Sequence, residues 1–289
     1  MSILYCSIPY FAAALARRDD PSFKNCPLVL VGPDRRVFAV SSEAATCGIV
    51  AGLPVRTAEV RCPRAQLLDA DVAHCRTEFE ALLQVLDRTS PIVEPHGWGA
   101  AYVDLGDLVR HHDDAMSFCR EIGQAVRRQL GTPLQPALGW DSAKFTAQAA
   151  AQRTQPGHLL AVPAVRARAF LKPLPVTLLP LEQDPLRRLG FLGLRTLGQY
   201  AALPSAAVWQ QFGRTGRLAQ RCARGEDDRP VVPRSQARRL AANCDLEDPL
   251  TDREQLLALL RHMISPLLTE LQANLKVSGQ VRLTVHFAD

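Results

Sequence analysis

Long hydrophobic runs are missing. No apolar stretch in the 289 residues approaches the ~18 residues of a bilayer span, and Met1 leads into a short strand-like segment rather than a signal peptide. No membrane partner is therefore expected. Paired cysteine motifs are missing too. The eight cysteines, at 6, 26, 47, 62, 75, 119, 222 and 244, include no C-x-x-C pair. That argues against a disulfide frame or zinc site and for reduced thiols in a cytoplasmic protein. Lysine is scarce, with four against 30 arginines, a bias that a GC-rich genome produces. Apolar residues are plentiful at 47%, enough to bury a sizeable core and exclude wholesale disorder. The length suggests two or more domains.

The positive charge is unevenly spread. Residues 187–239 hold eleven Arg and three acids (Glu226, Asp227, Asp228), an excess of eight positive charges, whereas the rest of the chain is net −3. Such a concentration is the electrostatic footprint of a phosphate-backbone contact; an Arg-rich solvated surface is the plainer alternative.

Short apolar runs at 2–6, 28–31, 36–40 and 100–105 read as strands. Phe79, Leu82, Leu83 and Leu86 give 72–88 helical spacing, and 113–130 reads as an amphipathic helix opened by Asp113 and Asp114. Five prolines between 163 and 185 preclude a long regular element there. The stretch 186–204 then reads as two short helices around a glycine-containing turn, and 229–239 as an extended basic linker. Thr251 and Glu254 have capping-box spacing before an apolar stripe from Leu256 to Leu271, with Pro266 a kink. Strict alternation over 281–287 reads as a half-buried strand with Arg282 on its polar face, and the chain is expected to stop inside a domain.

The order of features resembles a Y-family (translesion) DNA polymerase. ILYCSIPYFAAALARRDDP (3–21) is similar to the family's opening strand and first finger helix, and GIVAGLPVRTAEVRCP (48–63) to its G-x-x-x-G-M-P-x-x-x-A-x-x-x-C-P stretch. GWGAAYVDL resembles S-x-D-E-A-Y-L-D, GWDSAKFTAQAAAQ resembles G-x-x-x-x-K-x-x-A-K-x-A, and LRTLGQYAAL and FGRTGRLAQRCARGEDDRPV resemble the thumb. The implied fold is α+β, a right hand. Its palm would be 1–10 and 70–160, its fingers 11–69, its helix-hairpin-helix thumb 161–232, and an incomplete little finger 237–289.

Such polymerases need three carboxylates that hold two divalent metals. The resemblance puts Ser7, Gly99 and Ala100 at those positions, none with a charged oxygen for a hard cation. Ala12 stands at the aromatic steric gate, and Ser42 and Ala45 at the Tyr and Arg that bind the triphosphate. Neighbouring acids do not replace them: Asp104 matches a structural Asp, and Asp19 falls inside a helix. This pattern resembles the non-catalytic ImuB-like mutasome subunits, so the expectation is a chain that is not an enzyme, without metal or cofactor. It would be an adaptor in damage-induced, error-prone translesion synthesis, bridging primer–template or single-stranded DNA, the sliding clamp, a RecA-like accessory protein and a separate catalytic polymerase. A divergent active translesion polymerase and a scaffold that does not bind DNA are the alternatives.

The phosphate-gripping turn of the thumb aligns with Pro180-Leu181-Glu182-Gln183, which has no glycine and carries an acid. Lys144, Arg187, Arg188, Arg195, Arg214, Arg217, Arg238, Arg239 and Arg282 are the candidate DNA contacts. His111-His112-Asp113-Asp114 reads as a helix-start loop rather than a metal cluster, and His74–Cys75 as helix surface rather than a catalytic dyad. Gln255 opens a faint clamp-binding pattern, but it lies within a helical stretch.

Overall fold

A computed structural model describes residues 2–110, 115–234, 242–244, 252–273 and 283–284. The chain divides into two compact units, Met1–Arg234 and Ser235–Asp289.

The first unit opens with β1 (Ile3–Ser7) and α1 (Phe11–Asp19), followed by β2 (Leu28–Val31), β3 (Val37–Val40), α2 (Ser42–Thr46), α3 (Val55–Arg61) and β4 (Gln66–Asp69). Strands β2, β3 and β4 form a three-stranded sheet in the order β3-β2-β4. Its buried side chains Val29, Val31, Val37, Ile49 and Val55 make a small core of their own. Next come α4 (Val72–Asp87), β5 (Val93–Pro95), β6 (Ala100–Asp104), α5 (Gly106–Arg110), α6 (Ala115–Leu130), β7 (Ala137–Asp141), α7 (Lys144–Arg153) and β8 (Leu159–Ala161). The larger, palm-like sheet runs β5-β6-β1-β7-β8. All of β1 except half-buried Ser7 is buried, which its position in mid-sheet requires. Leu4 and Cys6 face the main core with Leu82, Leu86, Ile122 and Val126. Ile3 and Tyr5 face the other way, with Ala100, Tyr102, Ala147 and Val231.

Local chemistry explains several boundaries. The Asp71 side chain accepts the His74 backbone N–H at 2.8 Å and starts α4. Gly139 has no side chain because β7 meets the backbone of α7 there, against Ala147 and Ala151. A helical segment follows: α8 (Ala164–Leu171), α9 (Gln183–Phe191), α10 (Leu197–Ala201) and α11 (Ser205–Ala223). The prolines at 163 and 173 bracket α8 and limit it to eight residues, as proline's missing N–H requires. Thr196 and Gln199 form a reciprocal capping box at the start of α10. Gly213, at φ 61°, kinks α11. These helices close over Leu171, Leu189, Leu197 and Tyr200, a second core.

The expected strands at 2–6, 28–31, 36–40 and 100–105 and the helix at 72–88 are present within a residue. Helix 113–130 is described from Ala115; His111, His112, Asp113 and Asp114 lie outside the described residues. So do Thr251, Arg238, Arg239, Arg282 and most of 281–287. In the second unit, α12 (Arg253–Ala273) carries the expected Leu stripe with Pro266 inside it, and it contains Gln255. Among the described residues, no helix is long and apolar enough to cross a membrane.

Candidate functional site

The sheet face bearing Ile3, Tyr5 and Ser7 is where a polymerase of this architecture would place its acids. Antiparallel pairing sets Ser7 opposite Ala100 and Tyr5 opposite Tyr102, while Gly99 precedes β6 and accepts the Ile8 N–H at 2.9 Å. The three expected positions therefore do converge, but on a hydroxymethyl, a hydrogen and a methyl group. Gly99 adopts φ +73°, and a Cβ built on it would lie 2.5 Å from the Cβ of Phe11. Among the described residues, no group of three His, Cys, Asp or Glu is placed to hold a metal ion. The residues here do not fit the divalent metals that the fold family implies.

Aromatic and polar groups occupy this face instead. The Tyr5 hydroxyl pairs with His96 Nδ1 at 2.9 Å, and the Tyr5 and Tyr102 rings lie 4.7 Å apart. Tyr102 donates to Gln148 Oε1 at 2.9 Å. Burial raises both tyrosine pKa values and, aided by the Lys144 charge, lowers that of His96, so all three are neutral near pH 7. Beside them Phe11, Phe79, Trp98 and Phe38 form a chain of rings 5.7–6.1 Å apart, tying α1 and α4 to β3 of the small sheet.

Lys144 corrects an expectation. It does not reach the surface: its side chain is 7% exposed, it donates to both Glu94 oxygens at 2.6 and 2.7 Å, and it lies 4.6 Å from the Tyr102 ring centroid. A lysine so paired is not available to a phosphate. Glu94 also accepts the Val232 N–H at 2.6 Å, and Lys144 reaches the Pro230 carbonyl at 3.4 Å.

The expected basic linker is also revised. Residues 229–234 have no regular secondary structure, and they are bound to the sheet rather than free. Arg234 donates through its backbone to Val93 and through its guanidinium to Glu80 and Asp87, at 2.7 Å each for the shortest contacts. Arg229 is paired with Asp227 at 2.7 Å. Asp227 is buried, which would raise its pKa, but Arg229 and the Phe145 N–H hold it below the usual carboxylate range. The charge excess counted over 187–239 is thus partly spent inside the protein.

Five candidate arginines remain on the helical segment. Arg187, Arg188, Arg195 and Arg214 are exposed and Arg217 is half-buried. Arg187 has only a loose 3.8 Å contact to Asp184, itself largely exposed. Ser42 and Ala45 lie on α2, where Glu43 is engaged by Arg17 at 2.7 Å; burial opposes the shift, but Arg17 brings its pKa down to about 2. Ala12 is buried in α1. Cys75 is buried with its thiol pKa raised, chiefly by burial, and His74 pairs with Asp19, so the two form no dyad. Sequence reasoning missed Trp98, flanked by two glycines, and the Arg234 clasp. The G-W-G triplet was a usable signal for the first; for the second there was none, because its acids lie 147 and 154 residues away.

Residues 6–152 match the impB/mucB/samB family, about half of the chain. The chain belongs to that family. Its fold is that of the Y-family DNA polymerases. The chain is 27% identical over 291 residues to DNA polymerase IV of Dehalococcoides mccartyi, covering 99% of this chain and 74% of that one. It is 28% identical over 259 residues to DNA polymerase IV of Caulobacter vibrioides, covering 89% and 64%. DinB from Sulfolobus solfataricus superposes with a TM-score of 0.70 at 20% identity, over 80% of this chain and 69% of that one. An insertion ternary complex of Dbh DNA polymerase gives 0.68, also at 20%. These matches overturn the expectation that the chain is not an enzyme. Relatives spanning nearly its whole length are named DNA polymerase IV, whereas Ser7, Gly99 and Ala100 are three positions of the chain.

Proposed function

We propose that the chain engages primer–template DNA and serves translesion synthesis as a Y-family polymerase; relatives along most of its length are named DNA polymerase IV. The supporting observation is the helical segment. From 185 to 225 the sequence has seven arginines and no acid, and the structure leaves four of the candidates among them exposed. That surface suits a phosphate backbone and carries no means of reading a base sequence. In this reading 1–10 and 70–160 act as palm, 11–69 as fingers, 161–232 as thumb and 237–289 as little finger. Arg187, Arg188, Arg195, Arg214 and Arg217 are the thumb's phosphate contacts, with Arg238, Arg239 and Arg282 as further contacts. The test is primer extension by the purified full chain with all four nucleotides and magnesium or manganese. Templated addition above an empty-vector mock preparation supports the polymerase reading.

A second reading is favoured by Gly99 and Phe11, whose contact leaves no room for an acid at that position. Here the chain acts in error-prone synthesis as an adaptor that presents damaged template to a separate catalytic polymerase, together with the sliding clamp and a RecA-like accessory protein. Retained DNA binding without extension, plus recovery of a polymerase in pull-downs from damaged cells, would select it. Loss of DNA binding would remove both readings and leave the scaffold alternative.

A further inference from the structure

The outward face of α9 carries a feature that phosphate binding alone does not explain. Arg187 and Phe191 are four residues apart and Arg188 and Phe191 three, so the three side chains share one side of the helix. Leu189 and Leu186 take the opposite side and enter the core. Phe191 is 90% exposed. A phenylalanine held in water among arginines leaves a large apolar area unburied. At that exposure the ring is accessible to a planar partner. Arg195 follows, also exposed.

We propose that Phe191 is a stacking platform for an unpaired base of single-stranded DNA, with Arg187, Arg188 and Arg195 on the flanking phosphates. The inference rests on the DNA-binding reading above and adds to it a contact with a base, on strand that is not duplex. Charge complementarity selects the occupant, since the acid-free run 185–225 repels cationic partners and attracts a polyanion. An aromatic ring selects bases over bare phosphate, because every base offers a π-face whatever its identity. The bases inside a duplex do not present such a face, being stacked on one another, and only its two terminal pairs do.

The experiment is fluorescence anisotropy with the full chain and three probes: a labelled oligothymidylate, an all-abasic strand of the same length, and a blunt duplex. Wild-type protein should prefer the oligothymidylate over the abasic strand by roughly fivefold or more, the ratio for one stacked base. Phe191→Ala should abolish that preference and leave duplex affinity and its salt dependence unchanged. Phe191→Trp should keep the preference, whereas Phe191→Leu, apolar but without a π-face, should behave like the alanine variant. Thermal melts of all variants should coincide, since so exposed a ring holds no core together. A preference that survives Phe191→Ala, or is fully restored by Phe191→Leu, overturns the platform while duplex binding keeps the DNA reading intact. An effect only on the capture of a partner protein assigns the face to protein and overturns it too. Failure of the wild type to bind any probe overturns both inferences.

Discussion

Gly99 and Phe11 exclude a side chain between them. Gly99 sits at φ +73°, a conformation that disfavours any Cβ, and the atom would fall 2.5 Å from the Cβ of Phe11. Two separate penalties meet at one residue. Gly99→Ala should therefore destabilise the chain by about 1–3 kcal/mol for the backbone alone, with overpacking added. Urea unfolding of the Gly99→Ala, Phe11→Ala and double variants isolates the clash. The cycle should show partial favourable coupling, because Phe11→Ala removes the contacts with Cγ and Cδ2 at 2.6 and 2.7 Å but keeps the Phe11 Cβ and the backbone penalty. Strict additivity would mean that Phe11 moves aside freely.

Lys144 and Glu94 should behave as a structural pair. Lys144→Ala strands a mostly buried carboxylate and should cost on the order of 3 kcal/mol, yet leave the salt dependence of DNA binding as it was. A stability change under 1 kcal/mol together with a flatter salt slope would return Lys144 to the DNA interface.

His96 should make the chain sensitive to mild acid. Its pKa is lowered in the folded state from the ordinary 6.5, chiefly by burial, so the unfolded chain binds the proton first. Stability conferred by the neutral ring is present above pH 6.5 and declines as pH falls below it. The melting temperature of wild type should drop more between pH 7 and pH 5.5 than that of His96→Phe. Equal drops would show that the ring is solvated.

Arg234 holds the segment 229–234 to α4 through Glu80 and Asp87. Arg234→Ala should speed limited proteolysis within 229–234 while the thermal melt shifts little. An unchanged cleavage pattern would mean that Val231 and the Val232–Glu94 contact suffice.

Much of this architecture was legible in the sequence, and the reasons are specific. Runs such as LVLV at 28–31 are wholly apolar because their strands are buried on both faces, and the spacing of Leu82, Leu83 and Leu86 matches the single buried side of α4. The strands β4, β5, β7 and β8 were not legible. They are three to five residues long, and ALGWD at 137–141 owes its place to Gly139 lying against α7, a tertiary contact that no period encodes. The site divides in the same way. The convergence of Ser7, Gly99 and Ala100 followed from motif order, whereas the fate of Lys144, Arg229 and Arg234 depended on acids brought from elsewhere by the fold. A count of arginines measures charge, and only burial and pairing show which charges remain available.

The central claim is that the helical segment holds DNA by its phosphates, and titrating primer–template affinity against salt tests it most directly. With four to five arginines engaged, log K should fall against log[salt] with a slope of about −3.6 to −4.5, and Arg187→Ala with Arg188→Ala should reduce its magnitude by about 2. No measurable binding at low salt, or the same slope after both substitutions, would contradict the account.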